Sequence, residues 1–541
     1  MGRRRRLVAL AVLACLATVA AVARGGERAV PSAPAAVRSS PPQLAQGAPP
    51  ALAEPAHAIS AAGARRIGVR RARAARRAAL RVLRRSRTVP GALRRAWLAG
   101  AIDATELADL RRVWWTAGRA HERLGGRRRA ELGAVIDVAA GLARERRLTP
   151  SRLEPVFLTL RRNRDFWASR PLPAGGARYV FGRDPVTFQY YAGRGLQIQP
   201  LASFGRTNAL ANVCLHPTER YHCRPLALRR LLDRMVALGS VRGGFLAWEY
   251  LFGFGHGAPP WVSAMTQATG AQALARGRRV LGEPRYGAAA RRALGAFEQP
   301  PPTGVAVATG AGSRYTMYSF DPGLRILNGE LQAVIGLRDT ATLLHSVRAR
   351  RLYARGERVA RQAVRAFDTG AWSLYSQNGR ESTLGYHELL GGFLDGLCRR
   401  TAAQVYCATG RRFARYVREP PRVHLRRLRA VRARRATAIA FSLSKLSRVT
   451  VRVWDRRGLE LRRDLQLTRG PHSIRWVPFL HGRHRLQIVA TGPAGTRAIL
   501  RRTVRAKARP RAHRRTAAKR ASRTPRARAG RRAAASARTS A

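Results

Sequence analysis

The side chains best suited to chemistry fall into a few groups. Cys214 with Cys223 and Cys398 with Cys407 form two locally spaced pairs, while Cys15 stands apart near the start. Four cysteines allow three connectivities, of which local pairing is one, and buried free thiols are the other state open to them; an even number suits an oxidising compartment. His216, His222 and His256 lack the spacing of a metal site, and there is no convincing nucleotide-binding glycine loop, so neither metal nor cofactor is expected. Trp248 and Trp261 could stack on sugar rings or fill a core, and Arg183, Arg206 and Arg325 are of the type that pairs with carboxylates.

These residues need scaffolds to hold them, and a chain of 541 residues has room for two to four domains. Its 103 basic residues, mostly arginine, face 29 acidic ones, for a net charge of +74. Such a surface attracts polyanions. Arginine also fills turns and tails, which is the mark of a chain-wide bias. No zinc-finger spacing, RNP-like strand or helix-turn-helix accompanies the charge, so no specific nucleic-acid reader is expected, and acidic glycans or phosphate polymers suit it better.

Residues 1–23 read as a signal peptide: Arg3 to Arg6 precede the apolar run Leu7 to Val22, with small residues at Ala21-Val22-Ala23. An uncleaved anchor is the competing reading, and Leu13-Ala14-Cys15 makes a poor lipobox. The chain is therefore expected to be secreted or in the cell envelope. Residues 24–60 are an Ala/Pro/Ser linker too poor in large apolar residues to bury a core. Residues 61–170 form an Arg-rich helical region, in which Leu107, Leu110, Val113, Trp114 and Ala117 share a face and Asp103 with Glu106 makes a capping box. Thr149-Pro150 starts a helix expected to run to about Arg162.

Residues 171–420 open with a hairpin over Arg178 to Tyr191 and continue as helices at Leu226 to Leu238, Val262 to Arg276, Ile326 to Leu344 and Val347 to Phe367, expected to pack as antiparallel pairs. From 425 to 505 the period changes to two. Strands at Ala438 to Leu443, Arg448 to Trp454, His472 to Val477 and His484 to Ala490 predict a small β-sandwich, similar in strand order to bacterial immunoglobulin-like modules. Residues 506–541 are a basic tail expected to stay disordered and able to grip an anionic envelope polymer.

Three ordered blocks between about 190 and 400 carry a family resemblance. Gly195 to Ala202 follows Tyr190-Tyr191; Trp261-Val262-Ser263-Ala264-Met265-Thr266-Gln267 is the second block. The third runs from Tyr318 through Ile326-Leu327-Asn328-Gly329, Val334 to Asp339 and Phe367 to Gly370, to Tyr375 and Tyr386-His387. In these blocks the chain resembles the catalytic C-terminal domain of D-glucuronyl C5-epimerases. The resemblance implies a multidomain, mainly α protein with an incomplete α/α barrel, or toroid, ahead of the β-sandwich. It also implies an isomerase that epimerises uronate residues of an acidic polysaccharide, with Tyr318, Tyr375 and Tyr386 as catalytic groups and Gln199, Trp261, Gln267 and His387 as substrate-binding ones.

Epimerisation at C5 removes a proton beside a carboxylate and returns one to the other face of the ring, so the carboxylate must be paired as charge develops. Two positions depart from the family pattern: its glutamate before Tyr318 is Met317 here, and its arginine three places after Tyr375 is Asn378. Glu249, Glu330, Glu381 and Glu388 are the carboxylates that could enter the cleft instead. A noncatalytic glycan-binding envelope protein and a polyuronate lyase are the alternatives on the same scaffold. Asn328-Gly329 and Gly336 are read as packing and helix-entry features.

Overall fold

The computed structural model describes residues 28–30, 86–428 and 431–508. The expected signal peptide, most of the linker and the tail beyond residue 508 lie outside these. Among the described residues twelve helices and several small sheets make a helix-rich region followed by a β unit.

The first four helices are α1 (Val89–Leu98), α2 (Ala104–Arg123), α3 (Gly126–Arg144) and α4 (Pro150–Ser169). The capping box expected at the start of α2 is present: the Glu106 amide donates to Asp103 at 2.8 Å and the Asp103 amide to Glu106 at 3.0 Å. Proline opens α4, which runs past Arg162 to Ser169 because Phe166 and Trp167 continue its buried face. Strands β2 (Arg178–Phe181), β3 (Asp184–Tyr191) and β4 (Gly195–Ile198) form an antiparallel ribbon. Within the span expected as linker, β1 (Arg28–Val30) pairs in parallel with β2.

Eight helices follow as four consecutive pairs: α5 (Pro200–Leu215) with α6 (Pro225–Ala237), α7 (Ala264–Leu281) with α8 (Pro284–Ala293), α9 (Leu327–Leu343) with α10 (Val347–Ala363), and α11 (Leu384–Thr401) with α12 (Gln404–Arg418). The first member of each pair also packs on the first member of the next, so α5, α7, α9 and α11 make an inner row backed by the other four. The burial pattern agrees. In α7 and α9 nearly every residue of the first three turns is buried, whereas α10 buries one stripe and shows arginines on the other. Gly336 lets α9 approach α7, since a Cβ there would sit 2.5 Å from the Ala268 carbonyl oxygen. The row is an arc: among the described residues no contact of comparable extent joins α11 back to α5, so the expected toroid is not closed.

Two short hairpins interrupt the helices, β5 (Ser240–Arg242) with β6 (Phe245–Ala247) and β7 (Ala306–Thr309) with β8 (Gly312–Tyr315). The C-terminal strands make two antiparallel sheets. One has the order β13 (Gly470–Trp476), β10 (Thr437–Leu443), β9 (Val423–Leu425); the other β12 (Gly458–Leu467), β11 (Ser447–Asp455), β14 (Gly482–Thr491), β15 (Arg497–Ala506). Their inward residues, among them Phe441, Val449, Val451, Val453 and Ile488, share one core. The β unit is tied to the helices. Glu381 accepts the amides of Leu446 and Arg469, both at 2.8 Å, and the buried Lys445 ammonium donates to the carbonyls of Tyr416 and Glu419, both at 2.7 Å.

Both cysteine pairs are disulfides with local connectivity, Cys214–Cys223 and Cys398–Cys407. The second fastens α11 to α12 across a sequence separation of 9. Replacing Cys398 and Cys407 together by Ser should lower the free energy of unfolding by about 2–3 kcal/mol, the loop-closure value for a ring of roughly ten residues. Urea titrations of the double variant and the parent check it, and coincident curves would show that the α11–α12 hairpin does not need the cross-link.

Candidate functional site

An outer helix carries the chain back between successive inner ones, so α5, α7, α9 and α11 run parallel and present their N-termini on one side. Hydrogen bonds between the segments entering these helices confirm the gathering. The Ala264 amide at the start of α7 donates to Thr316, the Ser319 amide donates to Val262, and the Gln377 amide donates to Arg325 just before α9. Helix N-termini carry partial positive charge, so this end of the row favours an anion.

Aromatic residues roof this end. Tyr250, Phe252 and Trp261 form a buried cluster with Tyr191, Tyr318 and Phe320 packed against it. Tyr250 and Trp261 stack at 4.1 Å, and Trp261 donates its indole N–H to the Phe252 carbonyl. Gln199, the N-cap of α5, bridges two phenols: its Nε2 donates to Tyr191 at 2.6 Å and its Oε1 accepts from Tyr250 at 3.1 Å. Tyr386, in the first turn of α11, meets Tyr375 edge-on at 4.9 Å, and Tyr375 interacts in turn with Tyr318. Tyr318, Tyr375 and Tyr386 are therefore brought into one cluster.

All these phenols are held neutral. Burial raises Tyr318, Tyr375 and Tyr250 above the ordinary tyrosine value, and it pushes Tyr191 up to about 12 against the pull of Arg178. Tyr386 is 43% exposed, yet shielding of its phenol is still the main cause of its raised pKa, followed by Tyr375, with Arg178 opposing. Arg178 thus acts by its charge on Tyr191, Tyr250 and Tyr386 together. It donates to Gln189 across the β2–β3 ribbon at 3.0 Å and has no carboxylate partner among the described residues. Beside the cluster lies an open cleft lined by Tyr191, Arg194, Phe252 and Phe254. Glu131 on α3 builds its rim by accepting the Tyr190 hydroxyl at 2.6 Å and the Gly193 and Gly195 amides, both at 2.8 Å.

The other expected site residues are buried or already partnered. Gln267 is fully buried, with its amide spent on the Trp248 N–H and the Leu246 carbonyl, so it holds β6 against α7. His387 is 1% exposed, stacks on Trp372 at 3.7 Å and is bonded at both nitrogens, to Ser373 and to the Phe413 carbonyl. Trp261 is 4% exposed and supports Tyr250 rather than offering a free face, and Trp248 is core. Arg206 binds the Pro185 carbonyl and Thr187, and Arg325 is paired with Glu330.

Among the described residues no carboxylate takes the place of the glutamate that the resembled family carries before Tyr318. Met317 packs on Gly329 and accepts the Ser263 hydroxyl. Glu249 lies between Arg152 and Arg242; burial would raise its carboxyl, but the two guanidinium groups hold it below the ordinary range. Glu330 is buried with Arg325, Glu381 is bound to the β unit, and Glu388 is exposed. Asn378 occupies a left-handed turn at φ 57, where a short polar side chain is favoured. Three residues of the site were missed in the sequence. Tyr191 could have been approached through strand alternation, since Val186, Phe188 and Tyr190 are buried and leave Gln189 and Tyr191 on the other face of β3; Arg178 on β2 and Glu131 on α3 carry no such mark in the sequence.

Residues 242–415 match the family model of the D-glucuronyl C5-epimerase C-terminus, which supports the resemblance drawn from the sequence. The matched segment runs from the end of β5 into α12 and includes Tyr318, Tyr375 and Tyr386, but not Arg178, Tyr191 or Gln199. No curated protein matches the chain. Among solved structures, cellobiose 2-epimerase from Bacillus thermoamylovorans B4167 is similar at 11% identity and a TM-score of 0.30, over 53% of this chain and 74% of that one.

His387 supplies a test of the scaffold beneath the tyrosines. Burial lowers its pKa to about 4, so it stays neutral in the fold while the unfolded chain takes up a proton near pH 6.5. Its contribution is present above pH 6.5 and is lost as pH falls through 4. Stability should drop by about 3 kcal/mol over that window from this group. Urea unfolding at pH 7 and pH 4 should show a smaller drop in His387→Gln, and an unchanged pH dependence would place the acid-sensitive group elsewhere.

Proposed function

We propose that the chain is a uronate C5-epimerase acting on an acidic polysaccharide, with the tyrosine cluster at the N-terminal end of the inner helices as its proton-transfer site. The observation that carries the reading is the meeting of Tyr318, Tyr375 and Tyr386 beside Arg178 within the segment bearing the family match. A uronate carboxylate would pair with Arg178 and lie toward the helix N-termini, so that the negative charge developing at C5 is spread onto a carboxylate already neutralised. One phenolate takes the C5 proton, leaving the bonding pair on the carbanion-like centre, and a phenol on the opposite side of the ring forms the new C5–H bond; the ring and glycosidic bonds stay intact and there is no net oxidation or reduction. The C-terminal β unit is read as an immunoglobulin-like accessory module, and the protein as exported.

With Met317 in the glutamate position and the candidate glutamates committed elsewhere, a phenolate has to serve as the base. Ionising an ordinary tyrosine at pH 7 costs about 4 kcal/mol, and the raised values here add to it. The same observation favours a second reading, in which the cleft binds uronates without epimerising them.

Incubation with a glucuronate polymer in deuterated water separates the two. Incorporation at C5 with new iduronate is the expected outcome, and binding without exchange would leave only the second reading. The sign of the pH dependence follows from the raised phenols: exchange should rise about tenfold per pH unit from 7 to 9, because the active form is deprotonated and scarce there. A flat profile would require a different base. Tyr318→Phe, Tyr375→Phe and Tyr386→Phe should each lower exchange by about 10²- to 10⁴-fold. Arg178→Gln should also lower kcat/KM strongly, and an unchanged value would remove it from the site.

A further inference from the structure

The four-stranded sheet of the β unit has one face in the core and one in solvent, and the outer face can be read from its registers. Along β11, Val449, Val451 and Val453 point inward, so Arg448, Thr450, Arg452 and Trp454 point out. Arg452 lies directly opposite Arg462 on β12 and opposite Gln487 on β14, and Gln487 is opposite Arg501 on β15. Trp454 is opposite Arg485, whose guanidinium covers the indole ring at 5.9 Å. Farther along the β14–β15 ladder, Arg483 is opposite Arg505. With strands about 4.8 Å apart, these guanidinium groups form a cationic grid several strands wide.

Two features separate this face from the general excess of arginine. Like charges directly opposite on neighbouring strands are destabilising, and here they occur twice, at Arg452–Arg462 and Arg483–Arg505. Compensation is sparse. Asp464 is the one carboxylate on this face among the described residues, and it is already bound by Arg462 and the Thr450 hydroxyl. On the helices, by contrast, exposed arginines are often neutralised by a nearby acid, as in Arg348–Glu298, Arg399–Asp395 and Arg415–Glu419.

We propose that the outer face of the β12–β11–β14–β15 sheet is a docking surface for the same acidic polysaccharide, holding the polymer while the tyrosine site works on its uronates. The choice of a polyuronate over other polyanions rests on the function proposed above; the face itself is argued from charge and register alone. An extended polyanion laid across the sheet brings carboxylates between opposed arginines and relieves their repulsion. Trp454, partly exposed, offers an aromatic edge to a sugar ring.

The test uses the full chain with Arg448, Arg452, Arg462 and Arg501 all changed to Gln, and a control with Arg111, Arg119, Arg123 and Arg128 on α2 and α3 changed to Gln. Affinity for a long glucuronate polymer should fall at least tenfold in the first variant, with a weaker salt dependence, and stay near that of the parent in the control. Exchange on a short glucuronate oligosaccharide should be the same in all three proteins, and the thermal midpoint of the first variant should stay near that of the parent, since the exposed Arg462–Asp464 pair it loses is offset by relief of the opposed like charges. Parent-like polymer affinity in the sheet variant, or an equal loss in the control, would overturn the docking surface. Tighter binding of double-stranded DNA than of the polymer, lost in the same variant, would overturn its occupant. If the parent exchanges no deuterium on the oligosaccharide, the reading of the tyrosine site fails while the polymer-binding comparison still decides this one.

Discussion

The parallel run of the inner helices is the constraint on which the rest depends. Four helices pointing the same way place four sets of unsatisfied amide groups at one end of the row. Such an end cannot be filled by a simple aliphatic core. It is covered by residues with both an apolar body and a polar tip, and the tyrosines, Trp261 and Gln199 meet that need: rings stack on one another while hydroxyls and amides bond to one another or to backbone. The cluster is at once the lid of the scaffold and its most chemically capable region.

Outside the inner row, the fold works to hold that lid still. Glu131 reaches from α3 to the turn carrying Arg194, and the Arg152–Glu249–Arg242 triad joins α4, β5 and the segment that leads to Tyr250. A buried triad of this kind contributes little net stability against an apolar alternative, but losing one member leaves an unpaired charge and costs much more. Glu381 and Lys445 extend the bracing to the β unit from the segment between Tyr375 and Tyr386 and from the foot of α12. The N-terminal helices and the β unit therefore both act on the geometry of the tyrosines, although neither contributes a phenol to the trio.

What the sequence disclosed follows the strength of local signals. The capping box at Asp103, the proline start at Pro150 and the helical periods from Leu226 onward appear within a few residues of their expected places, because propensity, caps and burial agree there. Strands β12 and β15 were not anticipated. Both are edge strands rich in arginine, so burial on one side only never gives them the apolar alternation on which strand recognition relies. At the site, the block pattern led to Tyr318, Tyr375 and Tyr386, which do meet. It also led to Gln267 and His387, whose buried amide and imidazole are bonded within the core and so serve packing here. Arg178 was out of reach because nothing in one sequence distinguishes it from a hundred other basic residues; only its register with Gln189 and its lack of a carboxylate partner do so.

The replacement of glutamate by Met317 sharpens the chemical question posed by the lid. A carboxylate buried among raised phenols and helix N-termini would ionise readily and polarise the whole cluster. A thioether leaves the cluster neutral until an anion arrives. Among the described residues Arg178 is then the one fixed charge that acts on three of its phenols, and a bound uronate would neutralise it and withdraw its downward pull on Tyr191, Tyr250 and Tyr386. Under the proposed function, binding of a uronate and ionisation of a tyrosine would therefore oppose each other. A productive epimerase must recover that loss from the helix N-termini, whose partial charges are fixed in the backbone and are not consumed by pairing with a side chain.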